Sequence, residues 1–98
     1  MQINKVAEGD TVTFALTGRL DTTTAPEFEA ALKASLDNVA HLVLDFANLE
    51  YISSSGLRVL LAAQKVMSKQ GDMIVKNVNE SIMEVFEITG FSDLFTIQ

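Results

Sequence analysis

Three adjacent serines, Ser53, Ser54 and Ser55, are the residues of this chain whose type and spacing most clearly suggest chemistry. With His41 and Asp45 close by in the sequence, they include the residue types of a serine hydrolase, in which a histidine takes the proton of a serine hydroxyl. The spacing argues against that reaction. The serines lack the G-x-S-x-G pattern of a nucleophile turn, and one predicted strand separates His41 from Asp45 by about 13 Å. We therefore predict no catalytic residue.

Metal, phosphate-loop and glycosidase chemistry also lack the residues that they need. One histidine and no cysteine leave only scattered carboxylates, without the spacing of a metal-ligand set. No glycine-rich phosphate loop occurs, and Asp21 and Asp45 are the only acids near the positions that a catalytic carboxylate pair requires. We therefore predict that the protein is not an enzyme and holds neither a metal nor a cofactor. His41 is interpreted as a polar residue that begins a strand.

Length and composition define the class of protein that carries the serines. The chain has 98 residues, of which 48% are hydrophobic and 20% charged, and this is typical of one globular domain over residues 1–98. Its formal charge of −6 would repel a nucleic acid, so no direct nucleic-acid binding is expected. The absence of cysteine and of a long apolar run predicts a cytoplasmic protein without a signal peptide or membrane insertion.

Hydrophobic periodicity predicts the strands that must position the serines. Val12, Phe14 and Leu16 alternate with threonines, so residues 2–7 and 11–17 are predicted to form a β-hairpin. Residues 41–46 show almost no alternation, which favours a central strand that is covered on both faces. Two further short strands are predicted over residues 73–75 and 94–97.

Three helices are predicted between these strands. A capping box of Thr24 and Glu27 should open the first helix, which runs from there to about residue 37. The second helix is predicted over residues 57–70 and follows three serines that are all suitable N-caps. The third is capped by Asn79 and closed by Gly90.

The order of these elements predicts an α/β fold. It is expected to be a single domain with a mixed β-sheet of four to five strands, an N-terminal hairpin and three covering helices. In such a sheet the turns that follow parallel strands lie along one edge. Residues 21–24 and residues 53–56 are therefore expected to lie close together, and the functional site is expected at this edge.

The serine segment has two interpretations at this point. It lies between a buried strand and the first turn of a long helix, where hydroxyls lie beside unpaired backbone N–H groups and an added negative charge is tolerated. A serine there would be suited to modification. Alternatively, Ser54 or Ser55 only caps the helix, as serines commonly do.

Four segments of the chain occur in an order and spacing that are specific when taken together. They are Gly18-Arg19-Leu20-Asp21, which resembles a G-x-L-D turn; the strand Leu42-Val43-Leu44-Asp45; Ile52-Ser53-Ser54-Ser55-Gly56-Leu57, which resembles D-S-S-G-L; and Ile88-Thr89-Gly90-Phe91 with Phe95. In these segments the chain resembles the STAS family, the sulfate transporter and anti-sigma factor antagonist domains, over nearly its whole length.

The resemblance implies an anti-sigma factor antagonist that works by partner switching. In such members the first serine of the signature, here Ser54, is phosphorylated by an anti-sigma factor that is also a serine kinase. The unphosphorylated protein would bind the anti-sigma factor, and the phosphorylated protein would release it until a phosphatase removes the phosphate. Asp21 matches an aspartate near the phosphoacceptor, which would position the hydroxyl or contact bound nucleotide, and a turn-stabilising role for it is equally open. The residues that the resemblance implies for partner binding are Asp21, Thr22, Thr23, Ser53, Ser55, Gly56, Leu57 and Arg58.

The chain departs from the signature at Ser53, where the family has aspartate. The loss of that carboxylate leaves Ser53 and Ser55 as alternative phosphorylation sites to Ser54. The alternative function is a non-phosphorylated regulatory or scaffolding subunit of a transporter or of a stress-signalling complex. Ser54 would then be structural.

The helix that follows the serines carries three of the seven basic residues of the chain, Arg58, Lys65 and Lys69. Their spacing aligns them on one strip of the helix. The strip either meets an acidic surface of a partner or is simply solvated.

Overall fold

The computed structural model describes all 98 residues, which form five strands and three α-helices. The strands are β1 (Gln2–Glu8), β2 (Thr11–Leu20), β3 (His41–Ile52), β4 (Asp72–Lys76) and β5 (Thr96–Ile97). The helices are α1 (Ala25–Ser35), α2 (Ser54–Gln70) and α3 (Glu80–Thr89), and a short 3-10 turn over Phe91–Asp93 follows α3. None of the helices is both long enough and apolar enough to span a bilayer.

The five strands form one mixed sheet in the order β1-β2-β3-β4-β5, which confirms the predicted fold class and hairpin. β1 is antiparallel to β2, and all other neighbours are parallel. Each parallel connection joins adjacent strands through one helix, and the right-handed sense of such crossovers brings all three helices to one face. Residues of the other face, such as Thr13 and Val43, are only half-buried. The prediction that the central strand is covered on both faces is therefore wrong.

The core lies between the helices and the sheet face that they cover, and it is entirely apolar. It comprises 24 hydrophobic residues, and no polar or charged residue is buried. Phe14 of β2 meets Phe28 of α1 edge to face, with 5.8 Å between ring centroids, and Phe86 of α3 meets Phe95 at 5.6 Å. Such pairs add about 0.5–1.5 kcal/mol beyond the area that they bury. They hold α1 against the sheet and α3 against the end of the chain.

The central strand β3 is longer than predicted because two bulges interrupt its alternation. Relative to β2 it carries one extra residue beside Phe46 and another at Glu50. A bulge bends a strand and re-aims the side chains that follow it. The buried residues after Phe46 are consequently Leu49 and Ile52, three residues apart instead of two. The strand therefore continues to Ile52 and ends directly before the serines, whereas the apolar run alone predicts an end at Phe46.

The start of α1 and the last strand correct two further predictions. Thr24 makes no side-chain capping bond, and its backbone, with φ −96° and ψ −19°, is already helical. An N-cap normally has extended backbone, which lets its side chain reach the N–H groups of the first turn. Helix α1 ends at Ser35. The last strand is limited to Thr96–Ile97, because the 3-10 turn occupies the residues shortly before it.

The third helix has the predicted ends. The side chain of Asn79 accepts a hydrogen bond from the backbone N–H of Ile82 at 2.8 Å. Gly90 closes the helix in the left-handed region, with φ +80°, where a residue without Cβ is least strained.

His41 lies at the start of β3, at the end of the sheet opposite to the serines. Its Nδ1 is 2.8 Å from Oδ1 of Asp72, the first residue of β4, and both side chains are about half-exposed. The hydrogen bond with Asp72, together with the charge of that residue, raises the pKa of His41 above its ordinary value, and the charge of Asp10 adds to this. The structure thus gives the only histidine a polar partner at the sheet edge.

This pair makes stability depend on pH in a defined direction. Because folding raises the pKa of His41, its contribution is complete below the ordinary pKa of about 6.5 and is lost as the pH rises through the higher folded value. The variant Asp72→Asn should lose this dependence and lower the pKa of His41. NMR titration measures the pKa of the single histidine in the wild type and in the variant. Identical titration curves would contradict the pairing of His41 with Asp72.

Candidate functional site

The turns that follow β2 and β3 lie side by side, as the sequence predicts. The backbone N–H of Ser53 donates to the carbonyl oxygen of Leu20 at 2.9 Å, which extends the pairing of the two strands to their ends. One turn further on, the hydroxyl oxygens of Thr22 and Ser55 are 3.4 Å apart. These contacts bring residues 21–24 and 53–56 to one edge of the sheet.

The three serines occupy three different environments. Ser53 has extended backbone, and its Oγ accepts a hydrogen bond from the N–H of Gly56 at 3.3 Å, so Ser53 is the N-cap of α2. Ser55 is half-buried and faces Thr22. Ser54 is exposed, and its hydroxyl makes no hydrogen bond within the protein. The interpretation that Ser54 or Ser55 caps the helix is therefore wrong, because the cap is Ser53.

Two residues predicted to bind a partner, Gly56 and Leu57, are buried, and this corrects their expected place on the surface. A Cβ at Gly56 would lie 2.8 Å from Cγ of Leu20 and 2.9 Å from Cγ1 of Ile52, closer than packed side chains allow. Leu57 belongs to the hydrophobic core. Both residues therefore hold the first turn of α2 against the ends of β2 and β3, and the surface consists of their neighbours.

Asp21 organises the turn that leads from β2 into α1. Its Oδ1 accepts hydrogen bonds from the backbone N–H groups of Thr23 at 3.0 Å and Thr24 at 3.1 Å, and the Thr24 hydroxyl donates to the Arg19 carbonyl oxygen at 2.8 Å. The Thr24 N–H is the main cause that holds the pKa of Asp21 below its ordinary value, with further help from the Thr23 N–H and the Arg19 charge. These hydrogen bonds show that Asp21 stabilises the turn.

Arg19 and Tyr51 extend this edge of the sheet, although neither is among the site residues predicted from the sequence. The guanidinium of Arg19 lies 4.2 Å from the ring centroid of Tyr51, and its Nε is 3.9 Å from Oδ2 of Asp21. The two residues pair across β2 and β3, but only after both bulges. Arg19 could have been found from the sequence, because it lies two residues before Asp21 at the end of β2, and side chains two residues apart in extended backbone share a face. No comparable signal exists for Tyr51.

An open groove runs from the edge onto the outer faces of α1 and α2. It has a volume of about 320 Å³ and is lined by Thr22, Pro26, Glu29, Ser55 and Arg58, with two apolar residues at its base. The first turn of α2 contains no acidic residue. The free N–H groups and the positive end of the helix dipole are therefore not neutralised by a carboxylate of the helix itself.

The structure does not bring His41 and Asp45 to the serines. His41 pairs with Asp72 at the other end of β3. Asp45 accepts hydrogen bonds at 3.0 Å from the side chain of Asn77 and from the N–H of Ala47, and the bond from Asn77 is the main cause that lowers the pKa of Asp45. No group of three His, Cys, Asp or Glu side chains is arranged to hold a metal ion.

The fold and the site together define a class of protein. It is a small α/β domain with one mixed sheet, helices on one face, and a serine segment at the start of α2 beside the turn after β2. Residues 2–98 match the STAS domain, and the chain belongs to this family.

Relatives and solved structures agree with this family. BtrV of Bordetella bronchiseptica, named provisionally as an anti-sigma factor antagonist, is 39% identical over 84 residues, which are 84% of this chain and 72% of that protein. The crystal structure of an anti-sigma factor antagonist from Mycobacterium paratuberculosis superposes with a TM-score of 0.88 at 24% identity, over 98% of this chain and 83% of that one. The Bacillus cell fate determinant SpoIIAA in its phosphorylated form superposes with a TM-score of 0.77 at 20% identity, over 99% of this chain and 91% of that one. At these identities the two structures establish the fold alone.

The different environments of the serines lead to a prediction about stability. Ser53→Ala removes the cap of α2 and should lower the free energy of unfolding by about 1 kcal/mol, whereas Ser54→Ala should change it by less than about 0.5 kcal/mol. Ser53→Asp should retain the cap. Urea denaturation of the three variants makes the comparison, and equal losses for Ser53→Ala and Ser54→Ala would contradict the assignment of Ser53 as the cap.

Proposed function

We propose that the protein is an anti-sigma factor antagonist that binds an anti-sigma factor with serine kinase activity and is released when Ser54 is phosphorylated. The observation that carries this proposal is the exposed Ser54 hydroxyl at the first residue of α2, which is bonded to no other group of the protein. A phosphatase would return the protein to its binding form. The proposal requires a cytoplasmic protein, because kinase and ATP must both reach the serine.

Ser54 is favoured over its neighbours by what their hydroxyls already do. The Oγ of Ser53 caps α2, and a phosphate there would disturb the bond to Gly56. The Oγ of Ser55 lies 3.4 Å from the hydroxyl oxygen of Thr22, so a kinase would have to open this contact between the two turns. Phosphorylation of Ser54 would disturb neither the cap of α2 nor the contact between the two turns.

The names of similar proteins support the same role. BtrV and the Mycobacterium paratuberculosis protein are both described as anti-sigma factor antagonists, the former provisionally. SpoIIAA of Bacillus, which shares the fold, has a phosphorylated form. In this chain the binding surface would consist of the exposed residues around Ser54, namely Thr22, Thr23 and Arg58, with Asp21 and Ser55 at its edge.

The energetics of the phosphate favour release by an altered surface over release by unfolding. A phosphoserine adds about −1.5 to −2 charges at neutral pH. At the start of α2 this charge meets free N–H groups and the positive end of the dipole, which stabilises the folded state by about 0.3–1 kcal/mol. In a contact with the kinase, an unpaired charge that must be desolvated costs about 2–5 kcal/mol, or roughly 30-fold to several thousandfold in affinity. The loss at the interface is the larger effect.

The first test of this proposal is phosphorylation by an anti-sigma factor kinase encoded in the same genome, with ATP and Mg²⁺. Intact-mass measurement should find one phosphate, and peptide mapping should assign it to Ser54. Ser54→Ala should take no phosphate and still bind the kinase, whereas Ser54→Asp should bind at least about 30-fold more weakly. The circular dichroism spectrum and melting temperature of Ser54→Asp should remain those of the wild type.

Each other outcome has a definite meaning. Phosphate on Ser53 or Ser55 would show that the acceptor is misassigned. A kinase that binds the protein but never phosphorylates it would identify a regulatory or scaffolding subunit instead. Ser54→Asp that binds as tightly as the wild type, or that unfolds, would rule out release by an altered surface.

The two roles of Asp21 can be separated by a pair of substitutions. Asp21→Asn keeps an oxygen that can accept the N–H groups of Thr23 and Thr24 but removes the charge, whereas Asp21→Ala removes both. Asp21→Asn should keep a near-normal melting temperature and lower the phosphorylation rate. Asp21→Ala should lower the melting temperature by about 5 °C. An unchanged phosphorylation rate in Asp21→Asn would leave Asp21 with the turn-stabilising role alone.

A further inference from the structure

Helix α2 is basic in an otherwise acidic protein. Over Ser54–Gln70 it contains three basic residues and no acidic one. The helix thus contributes +3, and the rest of the chain −9, to the formal charge of −6. Basic residues concentrated on one element are a feature of the surface that the fold does not require, because none of them is buried.

The three basic residues form one strip along the exposed face of α2. Arg58, Lys65 and Lys69 are all exposed, and at 100° per residue their spacing confines them to a sector of about 40°. The strip is about 16 Å long, and Ala62, which is also exposed, lies beside it, about 20° outside this sector. We call Arg58, Lys65 and Lys69 the basic strip. The residues that α2 buries, such as Leu60 and Met67, lie on its opposite side.

Arg58, Lys65 and Lys69 form no ion pair within the protein, although Glu29 lines the same groove as Arg58. The ion pairs of the protein are formed elsewhere, by Arg19, Lys33 and His41. Solvated helices commonly alternate charges four residues apart, which stabilises them, whereas Lys65 and Lys69 are like charges at that spacing and repel each other. Lys69, in the last turn, interacts favourably with the negative end of the helix dipole, whereas Arg58 and Lys65 have no such partner, and all three charges remain exposed to a binding partner.

Ser54 lies at the head of the same strip. It precedes Arg58 by four residues, so both side chains point to the same side of α2. A phosphate on Ser54 would place about two negative charges at one end of a surface that is otherwise positive. An acidic partner surface attracted by the strip would be repelled by that phosphate.

From these observations we infer that the basic strip is the docking surface for an acidic face of the anti-sigma factor. The inference rests on the proposed function and adds the face of α2 and the charge of the partner. Charge complementarity selects a protein surface over a nucleic acid, because the charge of −9 outside α2 would repel a phosphate backbone. Phosphorylation of Ser54 then acts by reversing the sign of the charge at the head of this surface.

The test reverses the charges of Lys65 and Lys69, the two residues of the basic strip that lie far from the serines. The double variant Lys65→Glu/Lys69→Glu alters the strip about 16 Å or more along the helix from Ser54. The control Lys5→Glu/Lys33→Glu reverses two exposed lysines on β1 and α1 and reaches the same net charge. Affinity for the anti-sigma factor kinase of the phosphorylation assay is measured by calorimetry at about 50 mM and 300 mM salt.

The strip variant should bind the kinase at least about tenfold more weakly at low salt and lose most of the salt dependence of the wild type. The control should bind within about twofold of the wild type, and both variants should keep the wild-type melting temperature within a few degrees. Equal affinities of the wild type and the strip variant would overturn the inference while leaving the proposed function intact. A wild type that neither binds the kinase nor accepts phosphate would instead remove the proposed function, and the inference with it.

Two other occupants of the strip would also overturn the inference, and the same proteins distinguish them. Sedimentation at low salt would detect a second copy as a wild-type dimer that the strip variant fails to form. Titration with a fluorescent DNA duplex would detect nucleic-acid binding that depends on Lys65 and Lys69. The inference requires a wild type that is monomeric in the first experiment and does not bind the duplex in the second.

Discussion

The close packing of the first turn of α2 against the ends of β2 and β3 is the constraint on which the candidate site depends. Gly56 lies so near Leu20 and Ile52 that a Cβ would collide with both side chains, and the Ser53 N–H bonds to the Leu20 carbonyl oxygen. Burial of Leu57 beside them adds about 1.5–3 kcal/mol of apolar stabilisation. Because the backbone on either side of Ser54 is fixed, its side chain can be directed only into solvent.

The same packing explains why charge can be added at this point without disturbing the fold. The groups that hold α2 in place are apolar side chains, backbone groups, the Ser53 cap and the Gln70 side chain, and the Ser54 hydroxyl is not among them. The free N–H groups of the first turn stabilise a negative charge. The switch proposed at Ser54 would therefore change the chemistry of the surface and leave its shape unaltered. This differs from switches in which a modification orders or melts a segment.

Much of the architecture could be predicted from the sequence because it depends on local patterns. Alternation in residues 11–17, the cap at Asn79 and the closing Gly90 are each set by neighbouring residues, and all three predictions are confirmed. The extent of β3 could not be predicted, since its two bulges depend on the register with β2. The predicted capping box at Thr24 is absent for a related reason. Its hydroxyl is held by Arg19 and Asp21, which belong to the preceding strand end and turn.

The position of the candidate site could be predicted from the sequence, but the different roles of its three serines could not. Parallel strands that end at one edge bring residues 21–24 and 53–56 together whatever their side chains are. Which serine caps the helix is instead decided by backbone angles, and only Ser53 has the extended conformation that lets its Oγ reach Gly56.

A neutral cap has an electrostatic consequence for the rest of the site. An aspartate at the position of Ser53 would make the same capping bond and would also place a carboxylate beside the N–H groups of the first turn. With serine as the cap and no acidic residue in that turn, the positive end of α2 continues into Arg58 and the remainder of the basic strip. In the proposed switch, the negative charge that this surface acquires is the one introduced at Ser54. If Ser54 is phosphorylated as proposed, serine instead of aspartate at position 53 increases the difference in charge between the two forms of this surface.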